Sequence, residues 1–493
     1  PMSRRLIIIA LAAALAALGT LASAGGAQAR HGLQTGFSDP QAFQFLDPAQ
    51  RQAAFRNLRS TGGSVVRLTA TWRHIAPSQP GTAVDARNPG WAGYVWGETD
   101  QMVREARAAG ITVLLSFTGA PDWAEAPGRD PLAPPGTWRP AAADYRLFAE
   151  AVARRYSGSF VDASGARLPR VRYYQAWNEP NLSDFVNPQW TRSGGRYRPA
   201  SPGIYKGLLN AFYRGAKKVR RSNVIVSAGT APFGETQRGQ KRMQAALFTR
   251  ELLCVTGRSR PRAKRRCPGG ATYFDALAHH PYPIGEPRRT AANPDDVVIP
   301  DIWKLTRPMK VALRAGYLKP RRHKPVWATE ISWDTSPPDP DGLPARLVAR
   351  YISGALYTLW RQDVSVVTWW LMRDEPFDPR GWGYSLQAGV FFRGATVADD
   401  TRKPGFYAFR FPFTAYTKGG VAQVWGLAPR SGRVTIQRRR GGGWRTIARL
   451  RTSPGRMFLR PMRLPAGAPL RARQGGETSM TWRVGPSEVE RVP

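Results

Sequence analysis

Two glutamates, each directly after a short apolar run, are the residues of this chain best suited to acid–base chemistry. Glu179 lies in the segment WNEPN at 177–181, which follows an extended, aromatic run. Pro180 disfavours the α region for the residue before it, so we expect Glu179 to be held extended at a strand end. Asn178 places an amide donor and acceptor beside that carboxyl group. A carboxyl group with a neighbouring amide suits general acid catalysis on a hydroxyl-rich substrate.

The second candidate carboxylate is Glu330, which ends the run KPVWAT at 324–329. Hydrolysis of a glycosidic bond is one chemistry that uses a pair of carboxyl groups. Glu375, Asp374 and Asp334 are rival partners for Glu179, but only Glu330 ends an apolar run. Two parallel strands of one sheet, each with a glutamate at its C-terminal end, would bring the two acids together.

Short apolar runs alternate with amphipathic stretches along most of the chain. The runs predict strands at 32–36, 64–68, 111–117, 171–177, 224–229, 274–279, 325–330 and 364–370. Apolar residues three and four apart predict helices at 100–109, 144–156, 204–219 and 345–361. This alternation is typical of parallel βα units, and eight strands fit a closed (β/α)₈ barrel. Its active site is expected at the C-terminal strand ends, where the fourth and seventh strands carry the two glutamates.

The pattern changes near Gly419, which predicts a second, smaller domain. Residues 421–484 hold short alternating segments divided by turn signals, as in a β-sandwich. We therefore expect a catalytic barrel over 30–418 and a β-rich accessory domain over 419–493, which either binds carbohydrate or caps the barrel. Three tryptophans of this domain are candidates for stacking on sugars, although core packing is favoured: Trp425, Trp444 and Trp482.

The N-terminal segment predicts export. A basic start is followed by an uncharged run over 6–21 and by the small-x-small site AQA at 27–29. This is the pattern of a secretory signal peptide over 1–29, with an uncleaved membrane anchor as the alternative. No later stretch reaches the ~20 apolar residues of a membrane span. The expected location is secreted or associated with the cell envelope.

Two cysteines, Cys254 and Cys267, complete the candidate covalent features. Export makes a disulfide between them chemically reasonable, with two free thiols as the alternative. No nearby pair of histidines completes a zinc site.

The chain of 493 residues is strongly basic, with 73 Lys and Arg against 34 Asp and Glu, a formal charge of +39. Such a charge attracts anionic polymers, so nucleic acid and acidic polysaccharide are both candidate partners. The basic residues are spread along the chain and follow no nucleic-acid motif, which favours a solvated basic surface without a specific nucleic-acid partner. The 42% apolar content is sufficient for a large core and argues against disorder.

The motifs together resemble the retaining glycoside hydrolases of clan A. The likeness is greatest to the β-xylosidase and iduronidase family, family thirty-nine, and its relatives that act on bacterial exopolysaccharides. It covers roughly residues 33 to 415. Its motifs are WNEPN at 177–181, Thr329-Glu330, VRL at 66–68 with Trp72 and Pro77, GAPDWA at 119–124, HHPYP at 279–283 and TWW at 368–370.

This resemblance implies roles for individual residues. Glu179 would be the acid/base and Glu330 the nucleophile, and no metal or organic cofactor would be needed. Asn178 would hydrogen-bond the sugar hydroxyl next to the anomeric carbon. The remaining substrate-site candidates are Arg67, His280, Tyr282, Trp369 and Trp370.

Several of these assignments have structural alternatives. Arg67 can pair with any buried acid, and His280 can be a packed loop residue. Trp369 and Trp370 point to opposite faces of a strand, so one of them is expected to be core. Asn178 and Glu179 can touch one sugar only if the strand end bulges or turns sharply.

Two functions fit these residues. The first is a retaining glycoside hydrolase that cleaves a poly- or oligosaccharide, with the charge of Glu330 raising the pKa of Glu179. The second is an envelope protein that binds polysaccharide on the same barrel without cleaving it.

Overall fold

A closed ring of parallel strands forms the centre of the protein in the computed structural model, which describes residues 32–452 and 457–486. The expected signal peptide at 1–29 lies outside the described residues. The eight strands are β1 Gln34–Ser38, β2 Val65–Thr71, β3 Thr112–Thr118, β4 Tyr173–Ala176, β5 Val224–Ser227, β6 Leu277–His279, β7 Val326–Ala328 and β8 Val364–Trp370.

These strands pair in the order β6-β7-β8-β1-β2-β3-β4-β5. Isolated parallel bridges, Val226 to Ala276 and Thr230 to His279, join β5 back to β6. The sheet therefore closes into the predicted barrel. All eight predicted strands are present, each within a few residues of its expected position.

Helices cover the outside of the ring and connect its strands. Their bounds are α1 Pro40–Phe43, α2 Pro48–Ser60, α3 Trp72–Ile75, α4 Ala83–Arg87, α5 Gly97–Ala108, α6 Ala142–Arg155, α7 Ser201–Val219, α8 Ala245–Leu252, α9 Trp303–Ala315, α10 Ala345–Arg361 and α11 Pro404–Arg410. The four predicted helices correspond to α5, α6, α7 and α10. Among the described residues, none of these helices is both long and apolar enough to cross a membrane.

Alternation along the strands divides the core into two layers. One buried cluster fills the barrel interior, and its members come from six of the eight strands or the residues next to them: Val65, Leu114, Val226, Ala276, Ala278, Trp327 and Val366. The larger cluster lies between the strands and the helices. Side chains two residues apart share a face of a strand. Arg67 on β2 and Trp370 on β8 therefore point into the barrel interior, on the same faces as Val65 and Val366.

Shorter strand pairs lie in the connections between barrel elements. They are Trp190–Ser193 with Arg196–Pro199, Val255–Thr256 with Arg262–Ala263, Thr272–Tyr273 with Leu318–Lys319, Thr335–Ser336 with Leu343–Pro344, and Phe391–Phe392 with Thr401–Arg402. Cys254 and Cys267 flank the second of these pairs and form the predicted disulfide, with Cα atoms 5.2 Å apart. The disulfide therefore closes the turn that follows α8.

The C-terminal part forms two further sheets. Their strands are β9 Phe413–Lys418, β10 Val421–Leu427, β11 Gly432–Arg440, β12 Gly443–Thr452, β13 Met457–Met462, β14 Pro469–Gln474, β15 Glu477–Thr478, β16 Trp482–Arg483 and β17 Gly485–Pro486. One sheet has the order β13-β10-β9-β17, and the other β12-β11-β14-β15 with β16 on β14. β9, which precedes residue 419, pairs with β10. Trp425 and Trp482 are buried, as core aromatics would be.

Candidate active site

The backbone turns sharply where β4 ends, and this turn presents Glu179. Trp177 and Glu179 have positive φ angles, 77° and 32°. The buried Trp177 ring fixes the turn by donating its Nε1–H to the carbonyl of Phe185 at 2.9 Å. The expected sharp turn is present, and it lets Asn178 and Glu179 both reach the partners described below. Residues in this conformation cost of order 1–3 kcal/mol each and are concentrated at functional sites.

The expectation that Glu179 is extended is wrong. Its N–H donates to the carbonyl of Gly229 at 2.9 Å, and its own carbonyl accepts from Leu182 at 2.9 Å. Proline at 180 favours an extended backbone for the residue before it, but Glu179 adopts a left-handed turn instead. The two hydrogen bonds then decide between that turn and an extended backbone.

Arg67, from the interior face of β2, links four side chains at or near the strand ends, one of which is Ser38, whose hydroxyl accepts from it at 3.3 Å. Its Nε donates to Oε1 of Gln175 at 2.6 Å, and its two terminal nitrogens donate to Oε1 of Glu330 at 2.6 Å and Oδ1 of Asn178 at 2.8 Å. Oδ1 of Asn178 accepts in this way, and among the described residues the Asn178 NH₂ group has no hydrogen-bond acceptor, which leaves it able to donate to a ligand. Arg67 therefore orients both an amide and a carboxylate of the site.

Glu330 is buried, and each of its carboxylate oxygens accepts a hydrogen bond. Arg67 donates to one oxygen, and the Tyr282 hydroxyl donates to the other at 3.0 Å. Burial raises the pKa of Tyr282 well above its usual value, with the charge of Glu330 adding to the rise. Tyr282 therefore keeps its proton and remains a donor over the physiological pH range.

Glu179 has a different environment, with a neutral histidine as its partner. Its Oε1 lies 2.8 Å from Nδ1 of His280, which is 3.6 Å from Oε2 of Glu330. Burial raises the pKa of Glu179 to about 7, and the charges of Arg67 and Arg242 oppose that rise. Burial also lowers the pKa of His280 to about 4, so the ring is neutral at pH 7. Glu179 is therefore a group that holds or releases a proton near neutral pH.

The cause of the raised Glu179 pKa differs from the expected one. The charge of Glu330 was the expected cause, whereas the largest cause in the structure is loss of hydration on burial. Burial acts at every stage of a reaction, while the charge of Glu330 would vary with its state.

The two carboxylates and His280 converge on one point. One oxygen of each glutamate and one ring nitrogen of His280 all lie within 4.8 Å of one another. Three such donors are within reach of a single metal ion, but the Arg67 guanidinium at 2.6 Å from Glu330 would repel a divalent cation there. The donor set therefore suits proton transfer better than metal binding.

The two tryptophans of β8 have different environments, so the pair of candidates is reduced to one. Trp369 is 1% exposed, packs against Trp333 and Phe409 on the helix side, and donates its Nε1–H to the carbonyl of Ala388 at 2.9 Å. Trp369 is therefore the tryptophan of the pair that lies in the core, as was expected of one of them. Trp370 is half-buried on the interior face, and its N–H donates to the carbonyl of Ile331, next to Glu330, at 3.0 Å.

The rival carboxylates have structural partners. Asp374 forms a buried ion pair with Lys403 at 2.5 Å. Asp334 accepts from the N–H of Gln387 at 2.8 Å, and Glu375 accepts from the N–H of Leu386 at 2.9 Å. These three acids hold the connection after β8 in place, which leaves Glu330 as the partner of Glu179.

Gln175 and Gly229 support the candidate site and were not predicted from the sequence. Gln175 accepts from Arg67 and donates to the carbonyl of Ser227 at 3.1 Å, so it joins β2, β4 and β5. The sequence did hold a signal for Gln175, because it lies two residues after Tyr173 and so shares the inward face of β4 with it. Gly229 has no such signal. A Cβ there would lie 2.0 Å from Nε2 of His280, so only glycine allows the histidine its position.

Comparison with known proteins adds to this geometry. No family model and no curated protein sequence matches the chain. Among solved structures, a family 39 glycoside hydrolase from Bacteroides cellulosilyticus WH2 aligns over 88% of this chain and 81% of its own, with a TM-score of 0.54 and 17% identity.

Two other solved structures align with lower TM-scores. A GH39 enzyme from Xanthomonas axonopodis pv. citri covers 88% of this chain and 92% of its own, with 14% identity and a TM-score of 0.46. The catalytic domain of GH30 xylanase C from Talaromyces cellulolyticus covers 90% and 97%, with 13% identity and a TM-score of 0.47.

The fold is a (β/α)₈ barrel, similar in architecture to that glycoside hydrolase structure. At 17% identity the likeness establishes the architecture, and the chemistry has to be argued from the site itself.

Proposed function

We propose that this protein is a retaining glycoside hydrolase that cleaves O-glycosidic bonds in a poly- or oligosaccharide by double displacement. The observation that carries the proposal is the convergence of Glu179, Glu330 and His280, since one carboxylate oxygen of each glutamate and one ring nitrogen of the histidine lie within 4.8 Å of one another. Retaining enzymes have their carboxyl groups about 5–5.5 Å apart, whereas inverting enzymes need about 6.5–9.5 Å to admit a water. The short separation supports direct attack by Glu330.

In the first displacement, a Glu330 oxygen attacks the anomeric carbon as the bond to the leaving oxygen breaks. Glu179 gives its proton to the leaving oxygen, and an ester joins the sugar to Glu330. In the second, Glu179 as a carboxylate takes a proton from water, the water oxygen attacks the same carbon, and the ester breaks. Both glutamates then return to their starting protonation states. A pKa of about 7 suits Glu179 to both steps.

The surrounding residues would position these groups. Arg67 and Tyr282 hold the Glu330 carboxylate at both oxygens, which fixes the direction of attack. Asn178 would donate its free NH₂ to the sugar hydroxyl next to the anomeric carbon. Trp370 would form the floor of the sugar site beside Glu330.

Export and the kind of substrate belong to the same proposal. We place the protein outside the cytoplasm, secreted or at the cell envelope, with cleavage after Ala29. Mass spectrometry of the N-terminus of the exported protein would then find Arg30 as its first residue. The charge of +39 makes an anionic polysaccharide one candidate substrate. The enzymes with a similar fold are glycoside hydrolases, which supports a carbohydrate substrate.

The test uses Glu179→Ala, Glu330→Ala and the exposed control Glu98→Ala, each checked for folding by circular dichroism. On aryl glycosides, loss of Glu330 should abolish turnover because no ester forms. Loss of Glu179 should still allow the ester with a good leaving group, since its departure needs little protonation. Azide, which needs no base, should then restore turnover and give a glycosyl azide of retained configuration.

Two outcomes would contradict the proposal. If neither substitution changes the hydrolysis of any substrate that the wild type cleaves, these glutamates are not the catalytic pair. If the wild type cleaves nothing in a broad panel of glycosides and exopolysaccharides yet binds a polysaccharide, the protein is a binder.

A further inference from the structure

Exposed large apolar side chains are concentrated on one face of the barrel. Among the described residues, most of them lie in segments that follow a barrel strand, on the side of Glu179 and Glu330: Phe45, Val84, Val95, Leu132, Tyr197, Ile284, Phe377, Tyr384 and Leu386. Three of these lie in the single connection after β8. The connection after β8 is therefore the best place among the described residues to look for a contiguous apolar binding surface.

The connection after β8 carries a cluster of rings that we call the aromatic tip, formed by Phe377, Trp382 and Tyr384. Phe377 is 56% exposed and Tyr384 62% exposed. The rings of Phe377 and Trp382 are 4.7 Å apart, and the Arg380 guanidinium lies 4.4 Å above the Tyr384 ring. Phe377 and Trp382 therefore form a paired aromatic surface, and the exposed Tyr384 ring lies two residues beyond Trp382 in the same connection.

Buried polar contacts hold the base of this connection in place. Lys403 donates to the carbonyl of Gln387 at 3.0 Å, in addition to pairing with Asp374. Gln387 is also tied to the connection after β7, where the N–H of Thr335 donates to its carbonyl at 3.2 Å. The N–H of Gln387 bonds to Asp334, four residues beyond Glu330 and so at most about 14 Å from it along the chain. The base of the tip is thus fixed to the segment that follows the proposed nucleophile.

The charge of the aromatic tip differs from that of the chain as a whole. Residues 375–386 contain Glu375 and Asp378 but only one base, Arg380, in a protein with more than twice as many basic as acidic residues. Asp378 accepts from the backbone N–H and the side chain of Arg380 at 2.8–2.9 Å. An anionic polymer such as nucleic acid would need uncompensated positive charge here. Aromatic faces without net positive charge instead suit the apolar C–H face of a neutral sugar ring.

We propose that the aromatic tip is a distal subsite that stacks on a neutral sugar unit of the substrate chain, away from the bond that is cleaved. This inference rests on the proposed function and extends it, because it assigns the enzyme a substrate of several sugar units. The fixed base lowers the entropic cost of binding, since the rings are ordered before the sugar arrives.

The test compares the double variant Phe377→Ala/Tyr384→Ala with the control Tyr407→Ala. Tyr407 is also an exposed aromatic, but it lies on α11 outside the tip. The ratio of kcat/KM on a polysaccharide to kcat/KM on a monosaccharide aryl glycoside should fall about tenfold in the double variant, since two ring contacts are lost. The control should leave this ratio unchanged. Direct binding of the same polysaccharide, measured by affinity electrophoresis with Glu330→Gln in the background, should weaken to a similar extent.

Three results would overturn the inference, and one separates it from the proposed function. It fails if the double variant leaves the ratio and the binding unchanged, or if the wild type binds no polysaccharide of a broad panel. It also fails if light scattering shows a wild-type dimer that the double variant converts to a monomer, because the tip would then be an interface between copies. If the wild type binds polysaccharide through the tip but hydrolyses nothing, the subsite stands and the proposed function fails.

Discussion

The proton on Glu179 should be visible in the stability of the protein as well as in its activity. A carboxyl group whose folded pKa is raised stabilises the fold fully below its unfolded pKa, and that stabilisation is lost as the pH rises through the folded pKa. For Glu179 this window runs from 4.5 to about 7. Glu179→Gln removes the titration, keeps the size of the side chain and retains a hydrogen-bonding partner for His280.

The expected magnitude follows from the difference between the two pKa values. A rise from 4.5 to about 7 corresponds to about 3 kcal/mol, at ~1.4 kcal/mol per pKa unit. The Glu179 side chain is only 15% exposed, so solvent screening reduces this little. The unfolding entropy of a chain this long changes Tm by about 1 °C per kcal/mol. The Tm of Glu179→Gln minus the Tm of the wild type should therefore be about 3 °C larger at pH 8 than at pH 4.

The assay is thermal unfolding of both proteins between pH 4 and pH 8, with exposed Glu98→Gln as the control. The Tm difference for Glu179→Gln should grow through the window, while that of the control stays nearly constant. In the wild type, kcat/KM should fall above about pH 7 as the acid loses its proton. A Tm difference that is the same at every pH would show that burial does not raise the Glu179 pKa, and the reasoning would be wrong.

Two further predictions test the supports of the site. Gly229→Ala places a Cβ against His280, which must then move away from Glu179, so we expect kcat to fall at least tenfold. The control Gly97→Ala has open space around its new Cβ and should leave kcat unchanged. Equal activity of the two variants would contradict this reasoning. Unreduced protein should resist alkylation at Cys254 and Cys267. Replacing both cysteines by serine should lower Tm by about 3 °C, because the disulfide closes a loop in the unfolded chain and thereby stabilises the fold by about 3 kcal/mol. Alkylation without reductant would refute the disulfide.

The barrel could be predicted from the sequence because its signals are local. Each strand is a short apolar run, and each of the four predicted helices repeats apolar residues three and four apart. The two glutamates lie directly after such runs, so the parallel arrangement of the strands was enough to bring them together. The disulfide could likewise be proposed from two cysteines and an export signal.

The parts that could not be predicted depend on contacts between distant segments. Whether Trp369 or Trp370 faces the cleft depends on which row of β8 points inward, and the two rows are both apolar. The turn at Glu179 depends on a hydrogen bond to Gly229, fifty residues away in sequence. The raised pKa of Glu179 depends on how much of the surrounding chain excludes water from it.

The aromatic tip was missed for a related reason. Phe377, Trp382 and Tyr384 lie in a connection without periodicity, where the sequence gives no sign of which rings are buried. The base of the connection is held by the buried contact of Asp374 with Lys403, which joins residues 29 positions apart.

The most direct test of the central claim is to identify the residue that carries the sugar during turnover. Glu179→Ala should accumulate the ester with an activated aryl glycoside, because no base remains to activate water. Rapid denaturation, proteolysis and mass spectrometry should then find one added glycosyl unit on the peptide that contains Glu330. A glycosyl unit on any other residue, or hydrolysis by the wild type with inversion at the anomeric carbon, would contradict the account.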